Sequence, residues 1–307
     1  MSNADLEAAL AAFGAREPHF LSHSENEVYR VQHRGRPAAL RLHRPGYQTR
    51  DQIWSELWWV QALAERGVPV PGALPARDGS LIAGRPGGRV ASLVTWVKGA
   101  PLADDTATPA AFHRIGALLA RLHNVTDQLD LPARFTRHAW DVDGLMGEAP
   151  LWGRFWESPA LDPAGRQTLL AARDKARAEL SAYRARGGDY GLIHADPIRG
   201  NVFVDGDQVT LIDFDDAGWG FRAYDLAVLM TQNLDRPDAR ALLDAAIAGY
   251  RSERALPHAT EAVIPTLILA RRMASTGWIM TRKQIDREWM VTYADRAVAL
   301  ARDYLAG

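Results

Sequence analysis

Cysteine is absent from the 307 residues of this chain. A protein without cysteine forms no disulfide, uses no thiolate nucleophile and binds neither zinc nor an iron–sulfur cluster through sulfur ligands. Lysine is also scarce, because only three of the 36 basic residues are lysines. We attribute the resulting excess of arginine to the base composition of the gene rather than to a function.

The chain also lacks an excess of charge of one sign. Its 36 basic residues nearly balance 37 acidic ones, for a net charge of −1, which argues against a nucleic acid or an anionic membrane as the main partner. No apolar run approaches the roughly 20 residues of a membrane-spanning helix. The segment 1–16 contains Asp5 and Glu7 and lacks the basic-then-apolar start of a signal peptide. We therefore expect a soluble, cytoplasmic protein.

The predicted elements change in kind near residue 98. Before this point we predict a small sheet and its helices, with strands at 27–32, 38–42, 81–82 and 90–97 and helices at 4–13 and 49–66. After it we predict long helices at 108–124, 162–186, 237–252, 258–282 and 285–304. The pattern therefore indicates an α+β fold with a sheet-rich lobe at 1–98 and a larger helical lobe at 99–307.

One stretch of the helical part is predicted to form strands instead. An apolar run at 190–194 is followed by runs at 201–205 and 208–213, which the turn Asp205-Gly206 joins into a hairpin. We expect these three strands to form one small sheet with polar side chains at its ends.

The polar residues of this stretch have a spacing that suits phosphoryl transfer. It reads His194-x-Asp196-x-x-x-x-Asn201, followed by Asp213-Phe-Asp215 after an apolar strand. Phosphoryl transfer needs a carboxylate beside the acceptor hydroxyl and oxygen ligands for Mg²⁺. Each residue alone has a structural explanation, such as capping a turn or ending a strand, but the full set in this order favours the functional one.

This set resembles the catalytic and metal-binding loops of the protein-kinase-like superfamily. The resemblance implies a bilobal protein-kinase-like fold, with Asp196 as the catalytic carboxylate and Asn201 and Asp213 as Mg²⁺ ligands. It also implies supporting roles for His194 and for Asp225, which opens a later helix.

The same resemblance places the nucleotide in the first lobe. The loop before the strand at 27–32 contains no glycine, so Ser24 and Asn26 would bind the phosphates with small polar side chains and backbone N–H groups. Arg41 stands where the superfamily usually has lysine, and Glu56 on the following helix is its expected partner. Backbone groups near Thr95 and Val97 would read adenine, with ATP as the expected nucleotide and GTP as an alternative.

Within the superfamily, the chain looks like the aminoglycoside phosphotransferase and choline-kinase-like enzymes. Only residues 214–223 separate Asp213 from the Tyr224-Asp225 helix start, which leaves no room for a protein-kinase activation segment. The motifs at 67–71, 119–123 and 212–216 support this resemblance. The stretch 42–45 and the Asp215-Asp216 pair also resemble bacterial stress-response kinases and type II homoserine kinases.

The resemblance implies a Mg²⁺-dependent kinase that phosphorylates a hydroxyl of a small polar, amine-bearing molecule. Asp215, Asp216 and Trp219 follow the metal site in sequence and are candidates to bind the acceptor. Two alternatives remain open: a kinase acting on protein Ser or Thr, and a nucleotide-binding regulator without turnover, which the glycine-free loop and Arg41 suggest. The sequence leaves the acceptor and the oligomeric state open.

Overall fold

The computed structural model of the chain describes residues 3–23, 26–84, 87–282 and 286–307. The chain divides into two compact units, neither of which is one continuous stretch. The first contains residues 1–103, 124–137 and 200–215, and the second contains 104–123, 138–199 and 216–307. Two segments that the sequence placed with the helical part, 124–137 and 200–215, thus pack with the N-terminal part.

The first unit is built on a four-stranded antiparallel sheet whose strands lie side by side in chain order. Its elements are helix α1 (Asn3–Phe13), strands β1 (Ala15–His23), β2 (Glu27–His33) and β3 (Arg36–Leu42), helix α2 (Arg50–Glu65) and strand β4 (Ala91–Thr95). Strand β1 is absent from the sequence prediction because Pro18 and two register shifts interrupt its pattern at the sheet edge. The predicted strand at 81–82 is wrong, since only the next residue, Ala83, makes a single bridge to Ala91.

Helix α2 forms where its sequence predicts it. Thr49 accepts a hydrogen bond from the backbone of Gln52, and the Gln52 side chain accepts one from the backbone of Thr49, which completes a capping box. Ile53, Leu57 and Val60 lie on one buried face. This burial fixes the rotation of the helix and so the direction in which Glu56 projects.

The predicted hairpin also belongs to the first unit. Strands β8 (Val202–Asp205) and β9 (Gln208–Leu211) pair directly, and Gly206 takes a left-handed conformation in their turn. Strand β8 pairs on its other side with β5 (Ala100–Pro101). The strand predicted at 190–194 does not join this sheet, which corrects that expectation.

The second unit consists mainly of helices. They are α3 (Pro109–Thr126), whose last residues belong to the first unit, α4 (Val142–Met146), α5 (Pro163–Ala185), α6 (Ala223–Met230), α7 (Ala239–Glu253), α8 (His258–Ala262), α9 (Ile264–Met280) and α10 (Arg287–Ala306). A three-stranded sheet has β10 (Gly218–Phe221) between β6 (Ala139–Trp140) and β7 (Tyr190–Ile193).

Helix α9 is the central helix of this unit and packs against α5, α6 and α10. The single helix predicted at 258–282 is two helices, α8 and α9, because Pro265 lacks an N–H group and starts a new helix more readily than it continues one. Within the described ranges, none of the helices combines the length and hydrophobicity that a bilayer span requires.

Candidate active site

A cavity of about 300 Å³ lies within the first unit. Apolar side chains from the sheet, from α2 and from the hairpin region form most of its wall, and Arg41, Glu56 and Asp213 supply charge. This volume is at the lower end of the range for small-molecule sites, and the mixture of apolar walls with few polar groups is typical of them.

Arg41 connects the charged residues of this cavity. Its Nη1 donates to Glu56 Oε1 at 3.0 Å and its Nη2 donates to Asp213 Oδ1 at 2.9 Å. Burial disfavours the charged form of Arg41, but the neighbouring carboxylates of Asp213 and Glu56 outweigh this effect and raise its pKa. Arg41 therefore stays a cation and joins the helix glutamate to the predicted metal ligand.

Asp213 has an unusual backbone conformation for a residue other than glycine. Its φ angle is +62°, and its side chain remains 44% exposed although Phe214 beside it is buried against Trp59. Residues held in this sparsely populated region cost free energy and are common at functional sites. The buried Phe214 anchors the turn that leaves the Asp213 carboxylate accessible.

Asn201 is linked to this turn through the backbone. The N–H of Ile212 donates to the Asn201 carbonyl at 2.9 Å, where the hairpin of β8 and β9 ends. The amide oxygen of asparagine and the carboxylate of aspartate are hard ligands that fit Mg²⁺. Among the described residues, no group of three or more His, Asp or Glu side chains could hold a metal.

Thr95 and Val97, for which the sequence analysis predicts contact with adenine, also line the cavity. Strand β4 pairs with β3 up to Thr95, whose N–H donates to the Gly72 carbonyl at 2.9 Å. Beyond this residue the chain leaves the sheet, and the backbone groups of Trp96 and Val97 no longer pair with β3. They are the backbone groups that a purine edge could meet in this wall.

Asn26 has a different position from the one predicted. It is buried, donates to Asp215 through Nδ2 at 3.3 Å and accepts from the backbone of Arg44 at 2.8 Å. It is not among the residues that line the cavity. These contacts hold the Asn26 side chain in place beside the start of β2, so this side chain is not free to bind a phosphate. Ser24, the other residue predicted for this loop, lies outside the described residues.

Asp215 is also buried, which argues against its predicted contact with an acceptor. Its carboxylate accepts from Asn26 and lies 3.9 Å from Arg41 and 4.0 Å from His43. Its carbonyl accepts from Arg137 at 2.5 Å. Asp215 therefore belongs to the Arg41 cluster and fixes the turn that follows Asp213.

In the second unit, Asp225 holds the loop that carries Asp196. One carboxylate oxygen accepts from the N–H of His194 at 2.9 Å, and the other accepts from the N–H of Ala195 at 2.7 Å. His123 adds a contact of 3.1 Å to Asp225. Ala195 takes a φ angle of +66°. Two hydrogen bonds to a buried carboxylate stabilise this strained backbone.

His194 lies inside the same loop and is fully buried. Its Nδ1 accepts a hydrogen bond from the backbone N–H of Asp196 at 3.2 Å. This hydrogen bond orients the loop, and burial keeps the imidazole away from solvent, which is the arrangement of a structural histidine.

Arg271 contacts Asp196, a partner that the sequence analysis missed. The Nη2 of Arg271 donates to Asp196 Oδ1 at 2.5 Å, and its guanidinium lies 4.4 Å from the centre of the Trp152 ring. The ion pair is largely buried, with side-chain exposures of 7% for Arg271 and 15% for Asp196. No local motif predicts the contact between Arg271 and Asp196, because Arg271 lies 75 residues after Asp196 in a helical segment without distinctive features.

Asp216 and Trp219, the other predicted acceptor residues, are both half-buried in the second unit. The carbonyl of Asp216 accepts from Trp140 Nε1 at 2.6 Å. Burial disfavours the charged form of Arg271, but the neighbouring carboxylate of Asp196 and, to a smaller extent, that of Asp216 raise its pKa. Trp219 lies in β10, where it pairs with Ala139 and Leu192.

Comparison with known proteins shows to which family the chain belongs. The model of the phosphotransferase enzyme family matches residues 19–262. The chain belongs to this family. The solved structure of a microcompartment-associated aminopropanol kinase is 32% identical to this phosphotransferase, covers 98% of this chain and 95% of that chain, and has a TM-score of 0.86.

Two further proteins are similar to this phosphotransferase. Homoserine kinase of Rhizobium etli is 29% identical over 292 residues, which are 92% of this chain and 80% of that protein. A solved amicoumacin kinase in complex with AMP-PNP, Ca²⁺ and Ami is 21% identical, covers 97% of this chain and 92% of that chain, and has the same fold with a TM-score of 0.81.

These findings confirm the predicted family, the protein-kinase-like α+β fold and the enzyme class. This phosphotransferase is a kinase. The family match ends at residue 262, so it covers Arg41, Asp196 and Asp213 but not Arg271.

Proposed function

We propose that this phosphotransferase moves the γ-phosphoryl group of ATP to a hydroxyl group of a small, amine-bearing molecule, with Mg²⁺ as the metal. The observation that carries the proposal is the Arg41 cluster. In it a cation, its glutamate partner and an accessible carboxylate meet at the wall of one apolar cavity. This combination suits a nucleotide whose base needs apolar walls and whose phosphates need positive charge.

The first unit binds the nucleotide in this proposal. The base packs against the apolar walls of the cavity, and the backbone of 95–97 reads its edge. Arg41 donates to the phosphate oxygens, since its planar guanidinium keeps its charge and has several N–H donors. Asn201 and Asp213 would hold Mg²⁺, which would neutralise the charge that develops on the phosphates.

Asp196 of the second unit acts on the acceptor. Its carboxylate accepts a hydrogen bond from the acceptor hydroxyl, orients that oxygen toward the γ-phosphorus and takes its proton as the new bond forms. The acceptor oxygen then bonds to the γ-phosphorus, while the bond from this phosphorus to the bridging oxygen breaks and ADP leaves. The proton on Asp196 passes to solvent and restores the carboxylate.

An amino alcohol is the acceptor class that the relatives favour. Aminopropanol and homoserine, named in two of the matches, each contain a hydroxyl and an amino group. Asp216 is the candidate partner for the ammonium group, because its carboxylate is half-buried in the same unit as Asp196. Trp219 remains a further candidate for this part of the acceptor.

Thermal unfolding tests the nucleotide site. We expect ATP with Mg²⁺ to raise the midpoint, and GTP to raise it less. A nucleotide at 100 times its Kd adds about 2.7 kcal/mol of stability. Asp213→Ala should lose the Mg²⁺-dependent part of this shift, while Asp205→Ala in the exposed hairpin turn should keep it. An undiminished Mg²⁺-dependent shift in Asp213→Ala would contradict the assigned metal site.

Release of ADP with a panel of amino alcohols, amino sugars and casein tests the acceptor. We expect turnover with an amino alcohol. Asp196→Asn should keep the ATP-dependent midpoint shift and lose most of kcat. Normal turnover by Asp196→Asn would show that Asp196 is not the base. Phosphorylation of casein alone would favour the protein-kinase alternative, and binding of ATP without any turnover would favour a regulator.

A further inference from the structure

Asp196 and Arg271 form an ion pair that neither the sequence motifs nor the family match assigns. We propose that Arg271 is a positioning residue, which holds the Asp196 carboxylate in the orientation that receives the acceptor hydroxyl. This inference rests on the proposed role of Asp196 as the catalytic carboxylate.

Arg271 contacts both the side chain and the backbone of the catalytic loop. Its Nη2 donates to Asp196 Oδ1 at 2.5 Å, and its Nη1 donates to the Ala195 carbonyl at 3.4 Å. Because both side chains are largely buried, the attraction between them is screened less than at a surface. Rotation of the Asp196 carboxylate would break this contact, so the pair restricts the side chain to one orientation.

Trp152 fixes the guanidinium in turn. The Arg271 guanidinium lies over the Trp152 ring at 4.4 Å from its centre. Trp152 is itself held by Trp140, whose ring centre is 4.9 Å away in an edge-to-face arrangement. A planar guanidinium can stack on an aromatic ring and donate to a carboxylate at the same time, whereas a lysine ammonium lacks this planar geometry.

The position of Arg271 in the fold makes it a rigid support. It lies within α9, which packs against five other helices and is buried on most of its surface. Asp225 accepts hydrogen bonds from the backbone N–H groups of His194 and Ala195, whereas Arg271 donates to the carboxylate of Asp196. The two residues thus have separate tasks: Asp225 orients the loop backbone and Arg271 orients the side chain.

The kinetic variants are Arg271→Met, Arg271→Lys and Arg272→Met. Arg272 is a matched control, since it follows Arg271 on the same helix and donates to the Thr231 carbonyl at 2.8 Å. We expect Arg271→Met to lower kcat about 100-fold, because small misplacements of a catalytic group can cost this much. The KM for ATP should change less than about twofold, since the nucleotide does not depend on this contact.

Arg271→Lys should lose less kcat than Arg271→Met, because lysine keeps the positive charge but lacks the planar guanidinium that stacks on Trp152. Arg272→Met should retain the wild-type kcat. The proposal is overturned if kcat of Arg271→Met stays within about threefold of the wild type. It is also overturned if Arg272→Met loses as much, or if Arg271→Met loses kcat, ATP affinity and thermal stability together while lysine restores none of them.

A double-mutant cycle tests the pair without any acceptor. The thermal midpoints of Asp196→Asn, Arg271→Met and the double variant are compared with that of the wild type. We expect the double variant to lose clearly less than the sum of the single losses, because each single variant leaves a largely buried charge without its opposite charge. Additive losses would overturn the inference. If the wild type phosphorylates no acceptor, the proposed function fails, while this cycle still decides whether Arg271 holds Asp196.

Discussion

Arg41 donates to Asp213 at 2.9 Å with one terminal nitrogen while the other is bound to Glu56. A lysine in this position would have a single nitrogen for both carboxylates. The planar guanidinium instead contacts them with two separate N–H groups. Arginine at this position therefore allows the two carboxylates to be bound at once. The excess of arginine in the whole chain needs no functional explanation.

Replacement of Arg41 should weaken nucleotide binding in two steps. Arg41→Lys keeps the charge but loses the two separate N–H donors of the guanidinium, and we expect about a tenfold rise in the Kd for ATP with Mg²⁺. Arg41→Met removes the charge and should raise Kd about 100-fold. Isothermal titration of ATP checks both values. Arg36→Met, at the exposed start of the same strand, should bind as the wild type does, and equal Kd values for all four proteins would refute the role of Arg41.

Asp225→Asn should damage the catalytic loop more than the nucleotide site. Asparagine replaces one carboxylate oxygen by an NH₂ group, which faces a backbone N–H and leaves a buried donor unsatisfied. We expect a loss of about 3 kcal/mol in the free energy of unfolding and a kcat lowered about 100-fold. Urea unfolding and ADP release measure the two effects.

The control for this variant is Asp244→Asn, which removes an exposed ion pair with Arg240 on α7. Such pairs contribute about 1 kcal/mol at most. Comparable losses of stability in both variants would mean that the buried hydrogen bonds of Asp225 stabilise the protein no more than an exposed ion pair does.

Protonation of His43 should make stability depend on pH. Burial and the charges of Arg41, Arg89 and Arg137 lower the pKa of His43 well below 6.5, although the carboxylate of Asp215 lies 4.0 Å away. The unfolded chain therefore binds a proton that the folded protein does not. Stability from this residue is fully present above pH 6.5 and is lost as the pH falls below it.

Urea unfolding between about pH 5.5 and 7.5 measures this dependence. One proton contributes a slope of up to about 1.4 kcal/mol per pH unit below the unfolded pKa. The wild type should lose stability over this range as the pH falls, and His43→Gln should lose less. His258→Gln, at an exposed position of α8, should follow the wild type. A His43→Gln profile parallel to that of the wild type would show that His43 does not titrate as described.

Gly249 allows helix α7 to approach helix α3 closely. A Cβ atom at this position would lie 1.8 Å from the carbonyl oxygen of His113, and one at Gly116 would lie 1.9 Å from that of Ala246. Neither backbone can move without separating the helices. Gly249→Ala should therefore destabilise the protein by about 3 kcal/mol, as measured by urea unfolding, although alanine favours helices. Ala248→Ser on the exposed side of α7 should cost less than about 1 kcal/mol.

Local features allowed much of the first unit and of the catalytic loop to be predicted. Helix α2 follows from its capping box and apolar stripe, and the hairpin of β8 and β9 follows from its turn. The spacing of Asp196, Asn201 and Asp213 indicated phosphoryl transfer, and the family match confirms that enzyme class. Short strands such as β5 and β10 escaped prediction, because two to four residues have too little pattern to separate them from loops.

The sequence by itself determined the family, the kind of chemistry and the residues that lie close together along the chain, since short loops and capped helices depend on neighbouring residues. Only the tertiary structure decided which distant side chains meet. It buried Asp215 and Asn26 in the Arg41 cluster, and it placed Arg271 on Asp196. These contacts arise from the packing of whole elements, and a single sequence contains no local pattern for them.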